Sequence, residues 1–430
     1  MLARASRSIA GGVGSSMRAL DNALFVSHGS GSRIWDVDGN EYIDYVMAYG
    51  PLTLGHAPEV VNDAIREQLD KGLIFGTGCE LEYELAEEIV RLVPGVELLR
   101  FSSTGSETLH IALRLARAHT GKDKVLKFEG NFHGTIGDIY VSVAPQTPFG
   151  PAHRPWTKRQ VAGQLRSVEE DVIVAPFNDL DALEAIMQDQ GNQLAAIIME
   201  PVPNYNGIQK PVDGFLEGVR ALTEKYGALL IFDEVVTGFR MAPGGAQEYY
   251  GVVPDLCVMA KGLGSGVPIA MLGGSQEVMN TIVDFTMPQY GTYNANPLCL
   301  AGALAGIREL TKDDGAPIKH MHHIGQTLRD GFSKLFKAHD VPLIAQGVDP
   351  IFSVVGAKEE STNYRDTLQR DYLTARKFRD AMMDRGVWSI FRGNYLLSAA
   401  HTEVDIEETL RTAEQVLSSG VWREYSPHFA

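Results

Sequence analysis

Three short stretches of the sequence carry groups able to do chemistry. Lys261 stands in VMAKGLGSGVPIAMLGG, where an apolar run ends and Gly262, Gly264 and Gly266 follow. A lysine kept from water loses proton affinity and becomes a nucleophile able to form an imine with an aldehyde. Glycines add no side-chain bulk, so the backbone there can pass close to a flat ligand. The plain alternative is a solvated lysine at a strand end, followed by a turn. Asp233, in LLIFDEVVTGFR, closes another apolar run 28 residues earlier. An acid at the carboxyl end of a buried parallel strand lies where open α/β sheets bind their ligands. Its charge can pair with a protonated ring nitrogen; equally it can pair with Arg240 or cap the next turn, with Glu234 as the exposed partner. In FSSTGSETL, residues 101 to 109, an apolar strand runs into a Ser/Thr/Gly turn that opens a helix. The N–H groups and hydroxyls of Thr104, Gly105 and Ser106 can hold a phosphate there, or Thr104 and Glu107 can form an ordinary capping box. A phosphate cradle, an aldehyde-binding lysine and a carboxylate for a pyridine nitrogen are together what pyridoxal 5'-phosphate requires.

The elements that must position these groups follow from patterning. From residue 80 onward, helical periodicity alternates with short apolar runs, the tempo of an α/β protein with a mostly parallel sheet. Strands are predicted at 97–103, 124–130, 194–201, 227–235, 255–262 and 270–275. ETLHIALRLARAHTG sets Leu109, Ala112, Leu113 and Ala116 on one helical face and closes on Gly121, and FLEGVRALTEKYG has the same design before the Asp233 strand. Residues 31–46 read as a hairpin turning at Asp-Gly. The last third shifts to helices with a few strands, in DPIFSVVGA and GNYLLSAA, and ends in the helix DIEETLRTAEQVLSS. The division expected is an N-terminal arm with part of a small domain over 1–50, a large ligand-binding domain over 51–310 and a C-terminal small domain over 311–430.

The totals narrow the function classes. With 430 residues, 44% of them hydrophobic, the chain can bury a large core. A formal net charge of −16 and a pI near 5.2 disfavour a nucleic-acid binder, which wants a basic face. Three cysteines without a CxxC pair speak against a disulfide framework or a metal site, and a reducing, cytoplasmic setting is expected. No apolar run approaches the roughly 20 residues that span a bilayer. The opening MLARASRSIAGGVGSSMRAL has arginines and no acid, as transit peptides do; an amphipathic helix followed by a glycine turn is the reading preferred here.

Taken in order, GGVGSSMRA, IWDVDGNEYIDYV, YGPLTLGH, STGSE, NFHG, MEPV, FDEVVTGFR, AKGLGSGVP, GTYNANP and SAAHTEVDI resemble the class III pyridoxal-phosphate aminotransferases of fold type I. Within that family the motifs are most similar to glutamate-1-semialdehyde aminomutases and related β- and ω-amino-acid transaminases. The resemblance implies a large domain with a mostly parallel seven-stranded sheet flanked by helices, plus a smaller α+β domain from both chain ends. It implies that Lys261 forms the internal aldimine and shuttles the proton, and that Asp233 partners the pyridinium. Val235 and Phe132 would lie on the two faces of the ring, and Gly105 and Ser106 would hold the phosphate. Thr292 would reach the phosphate of a neighbouring subunit, so that the active unit is a homodimer with shared sites. Glu200 would lie near the ring hydroxyl.

The same resemblance makes Arg18 the group that binds a substrate carboxylate, its fork gripping both oxygens, and sets Tyr49 where the aminomutase has a tryptophan shaping the pocket. Departures exist: Gly14, Ser15 and Ser16 replace Asn-Ser-Pro, Phe132 replaces a tyrosine, and residues 141–171 do not follow the aminomutase's gating segment. The expected activity is therefore transamination between a carboxylate-bearing amino donor, a β- or other non-α amino acid, and a 2-oxo acid. The alternative is the glutamate-1-semialdehyde 2,1-aminomutase reaction. Further alternatives are a racemase or epimerase on the same fold, or a catalytically silent binding protein. A nicotinamide-dependent dehydrogenase would need a GxGxxG fingerprint between a strand and a helix, which the sequence lacks.

Overall fold

The computed structural model describes residues 1–20, 24–420 and 423. They fall into two compact units. The larger comprises residues 59–319 and 361–369; the smaller comprises 1–58, 320–360 and the residues from 370 onward.

The larger unit is built on a seven-stranded sheet. In spatial order its strands are Leu98–Ser102, Ala270–Gly274, Leu256–Met259, Leu229–Glu234, Leu194–Met199, Lys124–Phe128 and Val172–Ala175. Six strands run in one direction, and Ala270–Gly274 is antiparallel to both its neighbours. Leu194–Met199 and Leu256–Met259 are apolar without interruption, as strands of a parallel sheet covered on both faces are; every residue of both is buried. Six of the strands coincide with apolar runs in the sequence. The seventh, Val172–Ala175, is a four-residue edge strand directly behind the acidic turn Val168–Asp171.

Helix Gly105–Thr120 buries Leu109, Ala112, Leu113 and Ala116, as its periodicity predicts, and stops at Gly121 in the left-handed region, φ +66°. This face joins Val125, Ala196, Ile198, Ile231 and Val258 in one core. Helix Phe215–Tyr226 ends likewise on left-handed Gly227.

In the smaller unit the hairpin is present as Arg33–Asp36 paired with Glu41–Asp44, turning through Gly39 at φ +88°. Asp36 fixes the turn by accepting the N–H groups of Asp38 and Asn40. Strand Val26–Ser30 flanks the hairpin and Val387–Trp388 adds in parallel on the other side. A second, antiparallel sheet holds Leu343–Val348, Ile351–Gly356 and Asn394–Leu396. Helix Glu403–Ser419 opens with a capping box between Thr402 and Asp405. At the chain start the expected helix is short: Leu2–Ala5 forms one turn before the glycine turn Ala10–Gly12.

Of the readings open for the acid pair, the structure excludes an exposed Glu234. It is not an exposed partner of Asp233 but fully buried. Successive residues of a strand face opposite ways, and the Glu234 carboxylate turns toward the 237–247 segment. It accepts bonds from Thr237 Oγ1 (2.8 Å), the Ala246 and Gln247 N–H groups and Gln247 Nε2 (3.0 Å). Gly245 lies against it so closely that a Cβ would stand 2.9 Å from the Glu234 carboxyl carbon. Truncation would leave four buried donors without an acceptor. Glu234→Ala is therefore expected to lower stability by about 2–4 kcal/mol in urea unfolding, with Glu234→Gln losing less.

Candidate active site

The site residues lie at carboxyl ends of adjacent parallel strands. Asp233 is the penultimate residue of Leu229–Glu234 and stands opposite Val258 of the next strand. Two residues beyond that strand's end comes Lys261, which opens a tight turn, Lys261–Gly264, with φ +44°. On the other side Met199 pairs with Phe232, so Glu200 follows beside Asp233. The carboxyl ends of three neighbouring strands thus carry Lys261, Asp233 and Glu200 in that order, at the place where α/β sheets bind ligands.

Burial governs their proton affinities. It pushes the half-buried Lys261 ammonium below its ordinary value, against the raising pull of Asp233 and Glu200, and Arg240 pushes it further down. Burial raises Asp233, which the Val235 N–H at 3.1 Å and the cations of Lys261 and Lys127 pull back. Glu200 is raised by burial and then by the Asp233 charge. A lysine displaced downward beside buried carboxylates is what a nucleophilic amine needs.

The NFHG loop completes the arrangement. His133 Nδ1 lies 2.7 Å from Asp233 Oδ2. Burial, and next the Lys127 charge, press the ring down to about 3, so it is neutral. The ring proton belongs on Nδ1, where it gives the anionic acid a donor. Glu200 Oε1 accepts the Phe132 N–H at 2.8 Å and Oε2 the Asn204 N–H at 3.2 Å. The Phe132 ring stacks on Tyr205 at 4.8 Å and 10° and meets the edge of Tyr140 at 6.0 Å. Gly134, at φ +75°, abuts the side chain of Ser106, whose Cβ would be 2.9 Å from an added methyl.

At the helix start both uses anticipated for the Ser/Thr/Gly turn are compatible. Thr104 is the N-cap, its Oγ1 accepting the Glu107 N–H at 3.2 Å while Glu107 accepts from Ser103. The N–H groups of Gly105 and Ser106 open the helix beyond that cap. A Cβ on Gly105 would stand 2.9 Å from Val235 Cγ2 and 3.6 Å from the Ala260 Cβ. That glycine is a cradle wall: it brings the helix N-terminus against Val235 and the residue preceding Lys261.

The structure therefore gathers Gly105, Ser106, Phe132, Glu200, Asp233, Val235 and Lys261 around one place in the larger unit. Thr292 is exposed, in a segment whose Phe285 (71%), Tyr290 (79%) and Tyr293 (68%) also face outward. Arg18 and Tyr49 belong to the smaller unit. There Arg18 is exposed, with Nη1 folded back to 3.4 Å from where a Gly14 Cβ would sit, and the Tyr49 hydroxyl donates to the Met17 carbonyl at 3.4 Å. Residues that sequence reasoning passed over are His133, Tyr205, Asn131 and Lys127. Asn131 and His133 lie inside the NFHG motif, and Lys127 lies in the apolar run KVLKF, four of whose five residues are buried.

Comparison with known proteins agrees with this geometry. The family description Aminotransferase class-III matches residues 15–413. A glutamate-1-semialdehyde 2,1-aminomutase of Persephonella marina is 38% identical over 418 residues, 95% of this chain and 96% of its own length. An omega-transaminase from Sphaerobacter thermophilus superposes with a TM-score of 0.92 at 31% identity, covering 97% of this chain and 96% of that one. A glutamate-1-semialdehyde aminomutase of Pseudomonas aeruginosa gives 0.87 at 25% identity, covering 97% and 93%. The chain belongs to the class III aminotransferases, a family of pyridoxal-phosphate-dependent enzymes of fold type I. The residues present fit that cofactor: a glycine cradle at a helix N-terminus, an amine of lowered proton affinity and a buried carboxylate on neighbouring strand ends. Val235 is β-branched and stiff, so Gly105→Ala must displace it. The variant is expected to bind pyridoxal phosphate about tenfold more weakly with an unchanged far-ultraviolet spectrum, measured by titrating the apoprotein.

Proposed function

We propose that the chain is a glutamate-1-semialdehyde 2,1-aminomutase, moving an amino group between adjacent carbons of one carboxylate-bearing substrate. The observation that carries this reading is the identity of 38% across 95% of the chain to proteins of that name, joined to the Lys261, Asp233 and Gly105 arrangement. It ranks ahead of transfer from a non-α amino acid to a 2-oxo acid, the reverse of the order expected from the sequence. Exchanging the amino and oxo groups of glutamate 1-semialdehyde gives 5-amino-4-oxopentanoate, with no second substrate consumed.

Bound pyridoxal phosphate supplies an aldehyde for the amino group and a ring that takes up the electron pair freed at the substrate carbon. Asp233 keeps the ring nitrogen protonated, and His133 orients its carboxylate. With the cofactor bound, Lys261 would hold its aldehyde, and its amine of lowered proton affinity would serve as the base that moves the proton. Phe132 and Val235 bound the ring, with Tyr205 backing Phe132 and Glu200 holding the Phe132 backbone. Gly105 and Ser106 bind the phosphate, beside the cap made by Thr104. Thr292 of a second copy completes that phosphate site in a homodimer, a role supported by the exposed aromatics around it. Arg18 grips the substrate carboxylate, and Tyr49 shapes the pocket.

Transamination remains as a second reading because the omega-transaminase of Sphaerobacter thermophilus is similar over 97% of the chain with a TM-score of 0.92. The two separate on stoichiometry. Holoenzyme given glutamate 1-semialdehyde alone is expected to form 5-amino-4-oxopentanoate through many turnovers. Turnover only when a 2-oxo acid accompanies an amino donor would make the chain a transaminase instead. Arg18→Ala is expected to raise KM for the carboxylate substrate about 10- to 100-fold, the worth of a charged hydrogen bond, with kcat changed much less.

A further inference from the structure

Lys127 is a lysine with no solvent exposure, on the strand Lys124–Phe128. Its ammonium donates to two backbone carbonyls, Asn131 O at 2.7 Å and Val141 O at 2.8 Å. The first of these lies in the loop that presents Phe132 and His133; the second opens the 141–171 segment. One nitrogen thereby ties the ring-facing loop to the segment beyond it. Asn131 is held a second time, its Oδ1 accepting the Glu200 N–H at 3.0 Å.

Burial presses the Lys127 ammonium down to about 7, against the raising pull of three buried carboxylates, Glu200, Asp233 and Glu129. Glu129 has its own cation, since Arg365 grips it through Nε at 2.8 Å and Nη2 at 3.3 Å. That leaves Glu200 and Asp233 facing Lys127 and Lys261, with Arg240 acting on Lys261 and His133 neutral. In the proposed function Lys261 is the reacting amine, so its charge changes during the cycle. Lys127 has both its acceptors fixed and no access to a substrate.

We propose that Lys127 is a positioning residue of the active site, clamping the 129–134 loop to residue 141 and, in its protonated form, placing beside Asp233 and Glu200 a positive charge that takes no part in the reaction of Lys261. The proposal rests on the pyridoxal-phosphate reading of the site. Its two parts separate by substitution. Lys127→Met keeps the volume and removes the donors and the charge; Lys127→Gln removes the charge while keeping an amide donor for one of the two carbonyls.

Amide exchange over residues 129–144, followed in the full chain with and without added pyridoxal phosphate, reads the clamp. The pH titration of the bound cofactor's visible absorption reads the charge. Removing a nearby positive charge makes protonation easier, so the midpoint must rise. Lys127→Met is expected to exchange at least about tenfold faster across 129–144, since an amide opens by losing its tether, and to titrate about half a pH unit or more higher. Lys127→Gln is expected to exchange within a few-fold of the parent and to show the same upward midpoint. Parental exchange and midpoint in Lys127→Met would overturn the proposal. If that variant does not fold, Lys127→Gln decides: a parental midpoint overturns the role and a raised one supports it. Absence of any cofactor band in the parent protein would instead defeat the proposed function, while exchange without cofactor still tests the clamp.

Discussion

A carboxylate buried at the end of a parallel strand must be kept ionised, and the surroundings of Asp233 are organised by that requirement. Taking such a charge out of water is costly unless hydrogen bonds and opposite charges replace the lost solvent. Here the replacement comes from His133 at 2.7 Å, the Val235 N–H at 3.1 Å and two lysines on the strands or turns alongside. Each of these groups is delivered by a different segment. The strand order brings them to one place, because Lys124–Phe128, Leu194–Met199, Leu229–Glu234 and Leu256–Met259 are successive neighbours in the sheet.

The same constraint explains why adjacent acids have opposite fates. Strand alternation sends Asp233 toward the reactive amine and Glu234 into a nest of four donors on the other face. The first acid is answered by groups that can exchange protons or change charge. The second is answered mainly by backbone and amide donors, which can do neither. Chemistry and architecture are divided between two residues in sequence.

Much of this was legible beforehand because it follows from strand ends. Lys261, Asp233 and the Thr104 turn each close an apolar run, and strand ends mark the ligand edge of an α/β sheet. The helix face of Leu109, Ala112, Leu113 and Ala116 followed from periodicity alone. What escaped lacked such a signal. Val172–Ala175 is too short, and too close to acidic residues, to stand out. A single histidine in a loop gives no hint that an acid 100 residues away will meet it. Lys127 was hidden because a strand lysine is ordinarily solvated, whereas a parallel strand covered on both faces leaves neither parity in water. That Glu234 holds its turn from a buried position has no signal in the sequence, because the acceptor needs of the 237–247 segment cannot be read from a strand pattern. The aminomutase reading gains on transamination from likeness along the whole chain, which the altered 141–171 segment does not reveal.

The short segment 361–369 has a consequence for how this protein is divisible. It lies between stretches of the smaller unit yet belongs to the larger one, where Arg365 grips Glu129, reaches the carbonyls of Phe149 and Gly150, and is preceded by Tyr364 donating to Pro145. A contiguous fragment ending at residue 319 would therefore lack nine residues that neutralise a buried acid and fasten the 145–150 loop. The gene cannot be cut at one point into two self-sufficient modules, and shuffling of its halves with those of relatives must carry this inserted strap along with the part it serves.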